Sequence, residues 1–551
     1  MRNRGVSRGQ IALLLVAVLV PWLAVHAAGD PAIVSAARQD DAAAVRALIA
    51  KRVNVNESAT DGSTALLWAV YNANLELTRA LLAGGAAPDI ANRYGVTPLL
   101  QASRTGDAAV MAALLKAGAG VHRTHPDGET PLMAAARTGN LNAVRLVIEA
   151  GGDVNAADTY QQQTALMWAA ADGHVSVVEA LLEAGADPNR SALVTSVADR
   201  KHADHPTGGL TALMFATRNG HEPVVRALVK AGADLKAANG DGATATIIAI
   251  VNDRFDLART LLDLGADPND GSLYFAVDMH DATIDMRARD GSRLRADHPN
   301  TLTALDLVRL LLDRGADPNR PFIGQLHSTT LCCSEEINAT PLFRAAVAAD
   351  VEVLKLMIAK GAQVDWSPSE VKKDKDKPEG GRGNPNVGKT PLMLAMVGGR
   401  GAAFGAGPGF ERLGPPPFRE ASPREPADAV SALLAAGANP NAKAPDGSTP
   451  LHQAVTARQV AIVRALVAAG AKLDAVNQEN LTPLQLAEKP EPPPPPGNNS
   501  DARAWKPKRD SREEVIAALR TLMGLGPDDP TPQPPPAPPK AADKKPDEGS
   551  R

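Results

Sequence analysis

The sequence predicts an all-α solenoid of about twelve helix–turn–helix units, joined by hairpin fingers and interrupted by several insertions. Three observations carry that prediction. A segment of near-constant pattern recurs along most of the chain, each copy opens on a Thr followed by an apolar run, and each closes on a Gly-containing turn. One copy is too short to bury its own apolar face, so stability has to come from stacking on its neighbours.

The copies are plain when aligned. GSTALLWAVYNANLELTRALLAGGAAPD (62–89) is followed by GVTPLLQASRTGDAAVMAALLKAGAGVH (95–122) and GETPLMAAARTGNLNAVRLVIEAGGDVN (128–155), each starting 33 positions after the last. Related copies lie at 163–189 and 209–236, and further ones begin at Thr244, Thr340, Thr390, Thr449 and Thr482. Within a copy the Thr caps a first helix, and Pro sits in its first turn where no backbone donor is needed. A turn such as Thr105-Gly106-Asp107 reverses the chain, a second helix follows, and a Gly supplies its left-handed stop. Asp-Gly and Pro-Asn residues then form the finger that leads to the next Thr.

This repeat resembles the ankyrin-repeat family, which has a 33-residue period and a Thr-Pro-Leu-His signature. The resemblance covers roughly residues 30–524. One departure concerns the signature His, which is present only as His452; the equivalent residues are Leu67, Leu100, Met133, Met167, Met214, Ile247, Phe343 and Met393. Apolar contact between repeats is expected in place of a polar network. The first unit (30–60) lacks the Thr-Pro opening and carries Asp40, Asp41 and Arg46, as a capping unit would. In the last, the second helix is delayed to 512–524.

The ends are expected to lie outside the repeats. Arg2, Arg4 and Arg8 precede the apolar run IALLLVAVLV (11–20), and Val25-His26-Ala27 offers a cleavage site, so residues 1–27 read as a signal peptide. The run is short for a membrane span, and a membrane role is expected only if the segment stays uncleaved. Its removal takes the formal charge from −4 to −7, which gives no electrostatic reason to bind nucleic acid. Residues 28–524 are assigned to the repeats, with flexible insertions near 191–208, 277–300, 320–338, 366–387, 398–426 and 490–511. The Pro- and Lys-rich tail, 525–551, is expected to be disordered.

Motifs for chemistry are weak. GNPNVGKT (383–390) fits a phosphate-binding loop, yet the preceding KKDKDKPEGGR cannot be a buried strand. Gly388-Lys389-Thr390-Pro391-Leu392 instead aligns with Gly95–Leu99, so a nucleotide site is not expected and Lys389 should face solvent. His122/His125 and His202/His205 are spaced H-x-x-H, but finger turns explain them, and no metal, cofactor or catalytic residue is assigned. The only cysteines, Cys332 and Cys333, are adjacent and cannot form a zinc site.

The resemblance does imply a binding surface, since ankyrin proteins commonly grip partners with finger tips and exposed first-helix positions. By register the helix positions are Tyr71, Asn72, Arg104, Thr105, Arg137, Thr138, Asp172, Arg218 and Asn219; the finger positions are Arg93, Tyr94, Asp127 and Tyr160. Trp68 and Trp168 are expected to be packing residues. The resulting expectation is an exported bacterial ankyrin-repeat protein, a non-enzymatic scaffold in the cell envelope with a protein partner and no nucleotide. Two other readings stand beside it: a metal- or redox-responsive accessory using the histidine loops and Cys332/Cys333, or a secreted effector acting on host proteins.

Overall fold

The computed structural model describes residues 30–195, 207–281, 299–324, 337–369, 386–396, 425–490 and 509–534. Residues 1–29, where a signal peptide is expected, Cys332/Cys333, His202/His205 and the centres of the insertions lie outside these residues. Two compact units result, one of residues up to Leu193 with Gly209–Asp234, the other of Val194–Gly208 with the chain from Leu235 onward.

The first unit holds six helix pairs. They are α1 (Ala32–Arg38) and α2 (Ala42–Ala50), α3 (Ala65–Tyr71) and α4 (Leu75–Ala83), then α5 (Pro98–Thr105) and α6 (Ala108–Lys116). After these come α7 (Pro131–Thr138) and α8 (Leu141–Glu149), α9 (Ala165–Asp172) and α10 (Val175–Glu183), and α11 (Ala212–Asn219) and α12 (Glu222–Lys230). First helices pack on first helices of the neighbouring repeats, and second helices pack on second helices.

The second unit holds six more pairs among its described residues. These are α13 (Ala245–Val251) with α14 (Phe255–Asp263), α15 (Ser272–Asp281) with α16 (Ala304–Asp313), and α17 (Pro341–Val347) with α18 (Val351–Ala359). They continue as α19 (Pro391–Ala395) with α20 (Pro426–Ala435), α21 (Pro450–Ala457) with α22 (Val460–Ala468), and α23 (Pro483–Glu488) with α24 (Arg512–Leu522).

Capping explains where the helices start. Thr97 and Thr130 accept hydrogen bonds from the backbone N–H of Leu100 (3.2 Å) and Met133 (3.1 Å), which satisfies donors that the first turn would otherwise orphan. Asp107 and Asn140 do the same for the second helices α6 and α8. The apolar replacements for the signature His are buried as expected, among them Leu100, Met133 and Met167.

Finger asparagines tie one repeat to the next. The Asn155 amide donates to Gly185 O at 3.0 Å and accepts from Asp187 N at 2.8 Å. Asn56 and Asn189 repeat that bridge in the first unit, and Asn269, Asn319 and Asn441 repeat it in the second. At the second-helix caps, His174 and His221 cap nothing with their side chains. Their Nε2 atoms reach back to Arg137 O and Ala171 O, each at 3.0 Å.

Several boundaries differ from expectation. Strands β1 (Val194–Thr195) and β2 (Thr207–Gly208) pair antiparallel, as do β3 (Phe322–Gly324) and β4 (Ile337–Ala339), so two insertions start as extensions of the finger hairpin. Phe322 packs edge-on against Phe275, centroids 4.7 Å apart, which fixes the root of the second finger. Helix α15 runs to Asp281, inside the span expected as an insertion. Past residue 524, Gly526–Thr531 folds onto α24: Arg520 donates to Gly526 O and Asp529 O and pairs with Glu488, which accepts from Thr531. The terminal repeat has an open face, and this segment satisfies part of it.

Candidate protein-binding face

The expected site residues fall in the first unit, and all are exposed or half-exposed. Tyr71, Tyr94 and Tyr160 are exposed large side chains, at 61%, 67% and 75%. Tyr94 and Tyr160 occupy equivalent fingertip positions, because Arg93 N donates to Asp61 O just as Thr159 N donates to Asp127 O. Both side chains thus hold the same place on their fingers, with Asp127 at that place on the finger between them, where Pro126 has no N–H to donate. Leu193, also exposed, follows on the next finger, where its N–H donates to Gln161 O.

The first helices contribute a second row. Arg104 lies at the end of α5 and donates through Nε and Nη2 to the nearly buried Glu129 carboxylate, so its position is fixed by the following finger. Arg137, the equivalent residue of α7, lies with its guanidinium carbon 5.5 Å from the Trp168 ring centroid. The Trp168 indole N–H in turn donates to Gln163 at 2.9 Å. Arg38 covers Trp68 in the same way at 4.7 Å, and Arg218 covers Phe215 at 5.1 Å. Trp68 and Trp168 are half-buried, so the rings do not serve packing alone: they carry the cations of this face. Burial holds the Arg218 guanidinium below its ordinary pKa.

The remaining positions are largely held by the backbone. Thr105 and Thr138 donate to the carbonyls of Ala102 and Ala135, Asn72 donates to Ala37 O, and Asn219 donates to Ala171 O. Asp172 ends α9 and is exposed.

One cluster was not read from the sequence. His125, Asp127 and Glu129 bring ligand atoms within 4.8 Å of one another. The alternating spacing in the turn His125-Pro126-Asp127-Gly128-Glu129 is the signal that points to it, and His122 is not part of the cluster. His125 Nδ1 lies 2.6 Å from Asp127, whose other role is to accept the Glu129 backbone N–H at 3.0 Å. Burial pushes the Asp127 carboxyl up, but the Glu129 N–H, the His125 side chain and the Arg104 charge outweigh it and hold it low. Turn chemistry accounts for His125 and Asp127, and Arg104 already occupies Glu129. A small cleft of about 320 Å³ beside the cluster is lined by Gly95, Thr97, Arg123, His125 and Thr159 among others.

At the junction that mimics a phosphate loop, Gly388 N donates to Pro368 O, and Lys389 is half-buried just before the five-residue α19. That is a finger leading into a repeat. Among the described residues no helix is long and apolar enough to cross a membrane.

The family comparison agrees with this geometry. A family model described as ankyrin repeats (3 copies) matches residues 33–125, 106–192, 191–272 and 419–490, more than half of the chain. The chain belongs to the ankyrin-repeat family, a class of protein–protein interaction domains that are in general not enzymes. The ankyrin repeat domain of human ASB11 is similar, at 26% identity over 43% of this chain and 99% of that one, with a TM-score of 0.37. Among curated proteins none matches the chain.

Proposed function

We propose that the protein is an exported, non-enzymatic scaffold of the cell envelope, which binds a partner protein through the fingertip and first-helix face of its first unit. The observation that carries the reading is the coincidence of three exposed tyrosines with ring-supported arginines on that face. Tyr and Arg dominate the energetics of protein interfaces, and Arg104 and Arg137 are already held by Glu129 and Trp168, so little of their rotamer entropy is lost on binding. Support for export comes from Arg2, Arg4, Arg8 and the apolar run 11–20.

The partner test is affinity capture with the mature protein and with a Tyr94→Ala/Arg104→Ala/Arg137→Ala variant. Loss of the same partner from the triple variant supports the reading, and equal recovery removes it. For export, mass spectrometry of the cell-fractionated protein should find an N-terminus at Ala28 in the periplasm. A full-length chain in the cytoplasm contradicts that part.

A further inference from the structure

We propose that the first-helix face of the first unit takes an extended acidic segment of its partner, whose Asp or Glu carboxylates meet Arg137 and its neighbours. This rests on the function proposed above and names the chemistry of the partner. The charged residues of α1, α3, α5, α7, α9 and α11 are Arg38, Arg104, Arg137, Asp172 and Arg218, four cations against one anion, although Arg38 already pairs with Asp30 and Arg104 with Glu129. The second helices of the same unit mix Arg and Lys with Glu in nearly equal number, and the whole chain is acidic at −4. On this row the cation without a carboxylate among the described residues is Arg137, on which the excess positive charge centres.

The helix dipole favours cations at these C-terminal ends. It does not compel them, since Tyr71 and Asp172 end α3 and α9. Arg137 makes no ion pair with a described residue; its guanidinium rests on Trp168, which desolvates one side and restricts its motion. Glu129 engages Nε and Nη2 of Arg104, which leaves the rest of that guanidinium's donors outward. A planar fork held ready in this way suits bidentate pairing with a carboxylate. Exposed Tyr94 and Tyr160 add apolar contact from rigid side chains beside this row.

The test is fluorescence anisotropy of a labelled dodecapeptide alternating Glu and Ala, titrated with the full chain at low salt. Control peptides carry Gln or Lys in place of Glu. The Glu peptide should bind saturably, lose affinity with added salt, and bind about tenfold more weakly to R137E. R145E, on the exposed side of α8, should leave binding unchanged, and R137Q should fall between wild type and R137E. Circular dichroism melts establish that the variants fold. A Glu peptide no tighter than the Gln peptide, or equal losses in R137E and R145E, overturns the proposal. Self-association that R137E abolishes would place a second copy on the face and overturn it too. If a captured partner survives R137E but is lost with Tyr94→Ala/Tyr160→Ala, the acidic assignment fails while the proposed function stands. If it survives both, both fail.

Discussion

The Arg137 guanidinium lies 5.5 Å from the centroid of the Trp168 ring on the next repeat, and the same arrangement joins Arg38 to Trp68. A cation over an indole at an exposed site is worth about 0.5–1 kcal/mol, so this pair is a weak staple between repeats and biases Arg137 toward the ring only a few-fold. Arg137→Ala should lower stability by under about 1 kcal/mol. It should also change the tryptophan emission in a way that vanishes in a Trp168→Phe background. No emission difference between wild type and Arg137→Ala would mean the stacking is not populated in solution.

Removing the Asn155 amide should cost more. It donates to Gly185 O and accepts from Asp187 N, two hydrogen bonds to backbone groups of the next finger, each worth about 0.5–1.5 kcal/mol net because water can take the place of the amide. Asn155→Ala should destabilise the first unit by about 1–3 kcal/mol in urea unfolding. Asn155→Asp should recover only part of this, because a carboxylate can accept from Asp187 N but cannot donate to Gly185 O. Asp89 already shows that half-bridge, accepting from Gly120 N at 2.8 Å.

Gly173 is required twice over. Its φ is 79°, and a Cβ there would stand 2.6 Å from the His221 ring, which bridges to Ala171 O. Gly173→Ala should cost at least about 1–2 kcal/mol from the left-handed backbone alone. A companion His221→Ala substitution removes the clash and should make the alanine less damaging. Equal losses in both backgrounds would show that the contact does not matter.

His452 gives the second unit a pH dependence. Its Nδ1 serves Thr449 and its Nε2 lies 3.0 Å from Leu481 O, while burial, the largest influence, pushes its pKa below the ordinary value. The unfolded chain thus takes up a proton that the folded chain resists. Stability from this group is complete above the unfolded pKa of about 6.5 and is lost as pH falls below it. Thermal melts of wild type should drop more between pH 7 and 5 than those of His452→Leu, the residue type that other repeats carry here. Parallel curves would contradict this.

Much of the fold was legible because each repeat writes its own punctuation. Thr130-Pro131 and Gly139 mark a first helix whatever lies around them, since capping and left-handed backbone are local physics. The candidate site was legible only as positions. That Arg104 is tied to Glu129 and Arg137 is stacked on Trp168 depends on how one repeat is set against the next, a relation between residues 25 or more apart that register suggests and packing decides. Gly526–Thr531 depart from the expected disordered tail for a similar reason. Their composition reads as solvated tail, but Arg520 and Glu488 present an unfinished edge for Thr531 and its neighbours to complete. The insertion stems at 194–208 and 322–339 were hidden because short strand pairing leaves little trace in composition.

The central claim, that the partner docks on the fingertip and first-helix face of the first unit, is tested most directly by site-specific photo-crosslinking in the native cell. A photoreactive phenylalanine analogue at Tyr94 or Tyr160, both fingertip residues, should capture one common protein. The same probe at Arg79, on the exposed side of α4, should not. Capture of that protein from Arg79 alone, with nothing from Tyr94 or Tyr160, would contradict the account.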